Sequence, residues 1–290
     1  MNEYLIHIAI ICLYYSILSM GQLIVMGWGG LFNLAQISLA AVGAYVVAIL
    51  TTDYQVYFWW AFLLAPVVSV LVAIPLVLIS QRLKSDYFAV ASLAFALVIQ
   101  SVLINWRSVT HGVLGVTGIP RPSVFGLVLE QNLTFLLLVL VVWLFCVSII
   151  WCLNRSSLKL FLVAQSEFEE GLSSVGVSSG RCRMVAFIIA AFFSGIAGAI
   201  TASYISFIDP SSFALTEMIF LLSILVLSGM RSLKVLFFST VFLVTVPELL
   251  RFTDVPSSIL GPFRQLMFAA ILFIVIYYRR TLIFPSVRGV

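Results

Sequence analysis

The chain has 290 residues, 63% of them hydrophobic and 9% charged, and a formal net charge of +4. Soluble domains carry roughly 25% charged residues, so a water-soluble enzyme or binding module is excluded. An all-α, polytopic integral membrane helix bundle is expected instead, as one transmembrane domain over residues 1–290, in which cations report on topology and leave no nucleic-acid footprint.

Nine apolar runs follow one another: Tyr4–Met26, Leu34–Leu50, Val56–Ser80, Tyr87–Asn105, Leu133–Leu153, Met184–Ser206, Phe213–Met230, Leu233–Phe252 and Ile259–Tyr278. Each has the length that crosses about 30 Å of hydrocarbon as a helix. Glu3 precedes the first run and no Lys or Arg does. That is the wrong charge for a cleavable signal peptide, so the first run is expected to remain as a span. With about nine spans, Arg82, Lys84, Arg155, Lys159, Arg181, Arg183, Arg231, Lys234, Arg279, Arg280 and Arg288 share one face. The other face has Arg107, Arg121 and Arg251, with Arg264 just inside it. The positive-inside rule then puts the amino terminus outside and the carboxyl terminus in the cytosol.

Within Gly21–Gly43, Gly27, Gly29 and Gly30 interrupt the apolar pattern and are followed by Asn33, Gln36 and Ser38. Irregular backbone at membrane depth is tolerated only where protein buries it or a cavity is lined by it. Two readings stand: a pathway element, or a tight cytosolic turn. Ala40, Ala44 and Ala48 repeat every fourth residue, a flat face for close helix packing. The interval 105–131 is rich in Gly and Pro and is read as an extracytoplasmic loop. Its His111 has no partner at ligand spacing, so no metal is expected, and Cys12, Cys146, Cys152 and Cys182 show no paired spacing.

The longest polar interval is 154–183. Ala164, Phe168, Leu172 and Val175 recur there at helical spacing, beside Glu167, Glu169 and Glu170. A short helix capped by Ser166 and stopped near Gly176 is expected. Either it docks a cytosolic partner or it is an ordinary solvated loop. In the sixth run, Gly195 and Gly198 lie on adjacent small-residue stripes that suit helix packing. Glu217 and Glu248 lie near the outer ends of later runs, with Glu248 and Arg264 a candidate structural pair or, less simply, a proton relay.

Several stretches together resemble the membrane subunits of ATP-binding-cassette importers for branched-chain amino acids. They are GWGGLFNLAQISLAAVGAY (Gly27–Tyr45), LKSDYFAVASLAFALVIQSVLINW (Leu83–Trp106), TGIP (Thr117–Pro120), SVGVSSGRCRMVAFIIAAFFSGIAGAI (Ser174–Ile200), Asp209–Pro210 and VPELLR (Val246–Arg251). SGMRSLK at Ser228–Lys234 stands where a GGLGS-like turn is usual, and Thr110–His111–Gly112 replaces Thr-Gly-Gly. The resemblance implies a type II-like importer permease in a bacterial or archaeal inner (plasma) membrane. Its implied partners are a second permease, two cytosolic ATPases that bind ATP-Mg, and an extracytoplasmic solute-binding protein. It also implies that 154–183 is the coupling segment, through Ala164, Glu167, Phe168, Glu169, Glu170, Leu172, Val175 and Gly176.

The expected function is half of a translocation pathway for branched-chain or other hydrophobic amino acids, with no covalent chemistry and no cofactor held by this chain. No GxxxxGK[ST] loop is present, so ATP has to be hydrolysed elsewhere. A permease for urea, short amides or another small polar solute is one alternative, and an ion-coupled secondary transporter another. The candidate pathway groups are Asn33, Gln36, Ser38, Ser92, Gln100 and Ser194.

Overall fold

The computed structural model describes residues 2–83, 85–124, 127–128, 131–168, 172, 176–230 and 232–249, and further on 263, 266–271, 273–274 and 277. Helix dominates because hydrocarbon offers the backbone no partners, so each N–H and C=O has to be satisfied inside its own segment. Helix α1 spans Asn2–Gln22 and continues as a π-helical end, Leu23–Trp28. There follow α2 (Gln36–Thr52), α3 (Phe58–Ser80), α4 (Ser85–Asn105), the single turn α5 (Arg107–Thr110) and α6 (Asn132–Asn154). The remainder is α7 (Ser157–Glu167), α8 (Ser179–Ile205), α9 (Leu215–Leu227) and α10 (Leu233–Leu249).

Among the described residues, six helical stretches are long and apolar enough to cross a membrane. They lie in α1, α3, α4, α6, α8 and the Pro210–Leu227 stretch that includes α9. The apolar α2 has 17 residues, about 25 Å at 1.5 Å per residue. Half of the ninth expected run, Ile259–Tyr278, lies outside the described residues. The structure is a multi-pass all-α bundle.

Two helices form its centre. In their most apolar windows α1 is 72% and α8 67% buried, against 17% for α4 and 22% for α6. The outer helices therefore present Leu97, Val98, Leu137 and Phe145 outward, an apolar surface for lipid or another subunit. Close approach at the centre depends on missing side chains. A Cβ on Gly198 would lie 1.9 Å from Ala40 O and 2.8 Å from Ala44 N. A Cβ on Gly195 would lie 2.4 Å from Pro66 Cα, and one on Gly43 2.6 Å from Gly195 Cα. The Ala40, Ala44 and Ala48 face of α2 is fully buried. Pro66 and Pro75 both lie inside α3, where neighbouring helices can offset the lost backbone bonds.

The two ends of the bundle differ. At one end, Ser85 Oγ donates to Gly30 O at 2.8 Å, Gly27 abuts the Met230 carbonyl and Gly30 abuts Ser166. Arg183 lies at that end too. It is 5% exposed and donates through Nη1 to Ser80 O at 2.9 Å and Leu83 O at 3.2 Å. A guanidinium on the last carbonyl of α3 and one in the turn beyond it satisfies an acceptor that the helix leaves open and meets the negative end of its dipole. With the Gln165 amide oriented by its hydrogen bonds, its oxygen accepts from Arg183 Nε and its nitrogen donates to Ser179 O. One buried cation thus joins α3, α7 and α8.

The opposite end is tied by short strands. β1 (Val116–Thr117) pairs antiparallel with β4 (Phe207–Ile208), and β2 (Ser123–Val124) with β3 (Leu127–Val128). Gly115, at φ +68°, lets β1 begin where a Cβ would collide with Ile208 O. Trp59 Nε1 donates to Ser123 O at 2.7 Å, and Asn132 Nδ2 donates to Glu3 Oε2 at 2.8 Å. His111 Nε2 and Asp53 Oδ2 are 3.1 Å apart, an exposed pair. Among the described residues no group of His, Cys, Asp and Glu could hold a metal. The four cysteines are free: Cys12, Cys146 and Cys182 are buried and Cys152 is exposed.

Candidate functional site

The interruption after α1 is both a turn and re-entering backbone. The π-helical end is closed by Gly29 N donating to Ile24 O, Gly30 N to Met26 O and Leu31 N to Val25 O. Gly30, at φ +66°, turns the chain. Residues 29–35 then return non-helically to the start of α2. Polar side chains satisfy this segment from within the chain. Asn33 Oδ1 accepts from Ala35 N at 3.0 Å, Gln22 Nε2 donates to Asn33 O at 2.7 Å, and Ser92 Oγ accepts from Leu34 N at 3.0 Å. Asn33 Nδ2 donates to Gln36 Oε1 at 3.3 Å, and Gln36 Nε2 donates to Ala190 O at 3.1 Å. Ser194 Oγ donates to the same Ala190 carbonyl, also at 3.1 Å.

Asn33, Gln36, Ser92 and Ser194 are thus brought together, fully buried, around the re-entering segment. Ser38 Oγ donates to Ala35 O at 2.8 Å and, with Gln100, lines a narrow crevice of about 20 Å³ between α2, α4 and residues 213–218. In this conformation the first four side chains hold backbone in place, as a buried segment lacking helical bonds demands.

The polar interval differs from its expected form. A helix was expected to begin at Ser166; one ends there instead, since α7 is Ser157–Glu167 and Phe168 is its last, non-helical neighbour (φ −154°, ψ 88°). Ser166 Oγ donates back to Val163 O and caps nothing. Two amphipathic periods compete in this stretch. The earlier one, Leu158, Phe161, Leu162 and Gln165, forms α7, where Leu162 and Gln165 bury against the bundle; of the later one, Ala164 lies within α7 and Leu172 is also helical. Phe168 is 65% exposed and Leu172 only 7%, so the two do not share one exposed apolar face. Ala164 is half-buried, Glu167 exposed, and Gly176 an exposed turn at φ +81°. Glu169, Glu170 and Val175 lie outside the described residues. Lys159 Nζ sits 5.3 Å from the Trp28 ring centroid, so α7 rests on the end of α1.

A second polar region has no counterpart in the sequence reading. A cavity of about 250 Å³ lies between α1, α8 and α9 near the stranded end. His7, Tyr14, Tyr15, Thr201, Tyr204, Ser212 and Glu217 contribute its polar lining. Tyr15 Oη donates to Glu217 Oε2 at 2.5 Å, and His7 Nδ1 lies 2.7 Å from the Tyr204 hydroxyl. Glu217 looked isolated because Tyr15, bonded to it in space, stands in the first helix of the chain; only His7, with Tyr14 and Tyr15 seven and eight residues further along α1, hinted at a shared polar face. Glu248 is likewise bonded to the first helix, accepting from Tyr4 Oη at 2.7 Å. Its expected partner Arg264 lies outside the described residues.

Residues 4–277 match the model of a family described as the permease component of the branched-chain amino acid transport system. The chain belongs to that family. It is 32% identical over 286 residues to the high-affinity branched-chain amino acid transport system permease protein LivM of Salmonella typhimurium (strain LT2), covering 90% of this chain and 67% of that one. The LivM protein of Escherichia coli (strain K12) is also 32% identical, with the same coverage. No solved structure matches the chain. The glycine-broken segment, α7 and the cavity near the stranded end are the features of this fold that carry its buried or amphipathic polar groups.

Proposed function

We propose that this chain is the permease subunit of an ATP-driven importer for branched-chain amino acids, forming half of the pathway. The observation that carries the reading is the family match across 4–277, nearly the whole chain. The family's transport role needs an energy source, and no phosphate-binding loop is present in this sequence. Two cytosolic ATPases charged with ATP-Mg supply it, with a second permease completing the pathway and an extracytoplasmic binding protein delivering solute. The chain sits in the inner membrane of a bacterium or archaeon with nine spans, its amino terminus outside and the basic end in the cytosol.

In that orientation α7 and the segment 168–176 meet the ATPase. Movement there reaches α1 through Trp28 and Gly30, and α3 and α8 through Arg183. Asn33, Gln36, Ser92 and Ser194 then hold the irregular segment that changes shape during transport, while Ser38 and Gln100 border the route itself.

The test is uptake of labelled leucine by right-side-out vesicles carrying the whole assembly, with nucleotide loaded inside. ATP on the cytosolic side should drive uptake, and an imposed proton or sodium gradient without nucleotide should not. Gradient-driven uptake without nucleotide would overturn the reading in favour of an ion-coupled carrier. Cysteines at Thr52 and Ser157 should label from outside and inside respectively; the reverse would place α7 away from any ATPase.

A further inference from the structure

The cavity between α1, α8 and α9 combines features that point to one class of ligand. Its volume, about 250 Å³, is just below the roughly 300–1,000 Å³ of sites for drug-sized molecules. Among the described residues, Glu217 is the one carboxylate in the lining, and neither Lys nor Arg contributes to it. Tyr15 donates to one carboxylate oxygen at 2.5 Å, whereas a carboxylate has about four lone-pair sites. A carboxylate in a largely apolar wall within a membrane bundle is costly without a cation beside it. The tyrosine rings of Tyr14, Tyr15 and Tyr204 line the same space and can present negative faces to a cation. Ile10, Ile11, Ile200 and Ile208 supply an aliphatic wall. A hard inorganic cation wants about six oxygens close around it, and this lining is mostly hydrocarbon.

We propose that this cavity is a binding station for an aliphatic ammonium, with Glu217 as its counter-charge and the isoleucines as the wall for a branched tail. The inference rests on the amino-acid permease reading and adds where the amino group is held. His7 and Tyr204, 2.7 Å apart, supply hydrogen-bonding groups for the carboxylate of a zwitterion. The paired oxygens of Glu217 give the ammonium a charge-assisted hydrogen bond.

The experiment places a reactive thiol in the lining, Thr201→Cys, with the exposed Cys152 changed to serine, in membranes containing the whole assembly. Labelling by a small ammonium-bearing methanethiosulfonate is timed with leucine, with 3-methylbutylamine (leucine lacking its carboxyl group) and with 4-methylpentanoate (leucine lacking its amino group). Leucine and the amine should slow labelling severalfold, and the acid should not. Glu217→Gln should raise the half-protecting concentration of the amine at least tenfold, and Glu217→Asp, which keeps the charge, should bring it back towards the wild-type value. Amount and melting temperature of each variant are measured alongside, so that loss of fold is recognised. Protection by the acid and not the amine, or equal protection in Glu217→Gln, overturns the proposal, as does protection by none of the three. Protection by the amine but not by leucine supports the ammonium site and counts against the amino-acid reading. Leucine uptake by the same wild-type membranes reports on that reading independently.

Discussion

Replacing Gly198 by alanine tests the packing of the bundle at its tightest point. The added Cβ would stand 1.9 Å from Ala40 O and 2.8 Å from Ala44 N, whereas carbon–oxygen contacts settle near 3.3–3.6 Å. Backbone cannot swing aside as a side-chain tip can, so α2 and α8 have to separate by more than an ångström. That movement would also open the Gly43–Gly195 contact one turn away and loosen Gly195 from Pro66. Overpacking typically costs about 1–3 kcal/mol, and a clash with backbone on both sides belongs at the upper end, about 3 kcal/mol. At about 2–4 °C per kcal/mol for a chain of this size, the melting temperature of the purified assembly should fall by about 6–12 °C. Gly198→Leu should prevent assembly. Gly180→Ala is the control: its Cβ would meet only the Gln81 side chain, at 3.6 Å, and alanine in a helix is favoured over glycine by about 0.5–1 kcal/mol. The assay is a thermal unfolding series in detergent, scored by retained complex. If Gly198→Ala melted like the wild type, the close approach of α2 and α8 would be wrong.

Arg183→Ala should destabilise the assembly by about 3–5 kcal/mol, since it leaves Ser80 O and Leu83 O without their charged donor; Arg183→Lys should recover only part, because one ammonium cannot reproduce the fork that also reaches Gln165. Phe168→Ala should leave melting unchanged, as the side chain is exposed, while lowering ATPase co-purification or uptake; unchanged values in both assays would remove Phe168 from the coupling surface. Asp209 carries the pH dependence of the turn before α9. Burial pushes its carboxyl up, but hydrogen bonds from the Ser211 and Ser212 hydroxyls and amides outweigh that and hold it below the usual carboxylate value. Its stabilising contribution is therefore complete above the unfolded value of about 3.9 and is lost as pH falls through the lower folded value. The melting difference between wild type and Asp209→Asn should be constant from neutral pH down to about pH 4 and shrink below it, which paired melts across that range would show.

The exposed faces of α4 and α6 bear on assembly as well as on lipid contact. Both helices bury less than a quarter of their most apolar windows in this chain. Crosslinks to a second permease should therefore form from positions such as Leu97 or Leu137 in preference to the buried face of α8.

The sequence by itself determined the class of the protein and the course of most helices. Composition excludes a soluble fold, and eight of the expected runs overlap described helices, because in hydrocarbon an apolar run of this length has few alternatives to helix. The spacing of Gly195 and Gly198 likewise marked α8 as a helix of close contacts, since small residues on one face have local periodicity. What periodicity could not settle was which of two overlapping amphipathic stripes forms α7. That choice depended on Trp28 and Arg183, whose positions beside it are set by other helices. Arg183 read as one more topology cation, and only the arrival of Ser80 O, Leu83 O and Gln165 makes it a buried clamp. Asn33 and Gln36 read equally well as solute ligands or as a turn; burial against Ala190 O and Ser92 turns them inward. The cavity near the stranded end is the clearest case. His7 and Tyr15 stand some two hundred positions before Glu217 in the chain, and nothing local couples them. Their chemistry exists only because α1 and α9 meet across α8, so the tertiary structure, and no shorter-range signal, created that site.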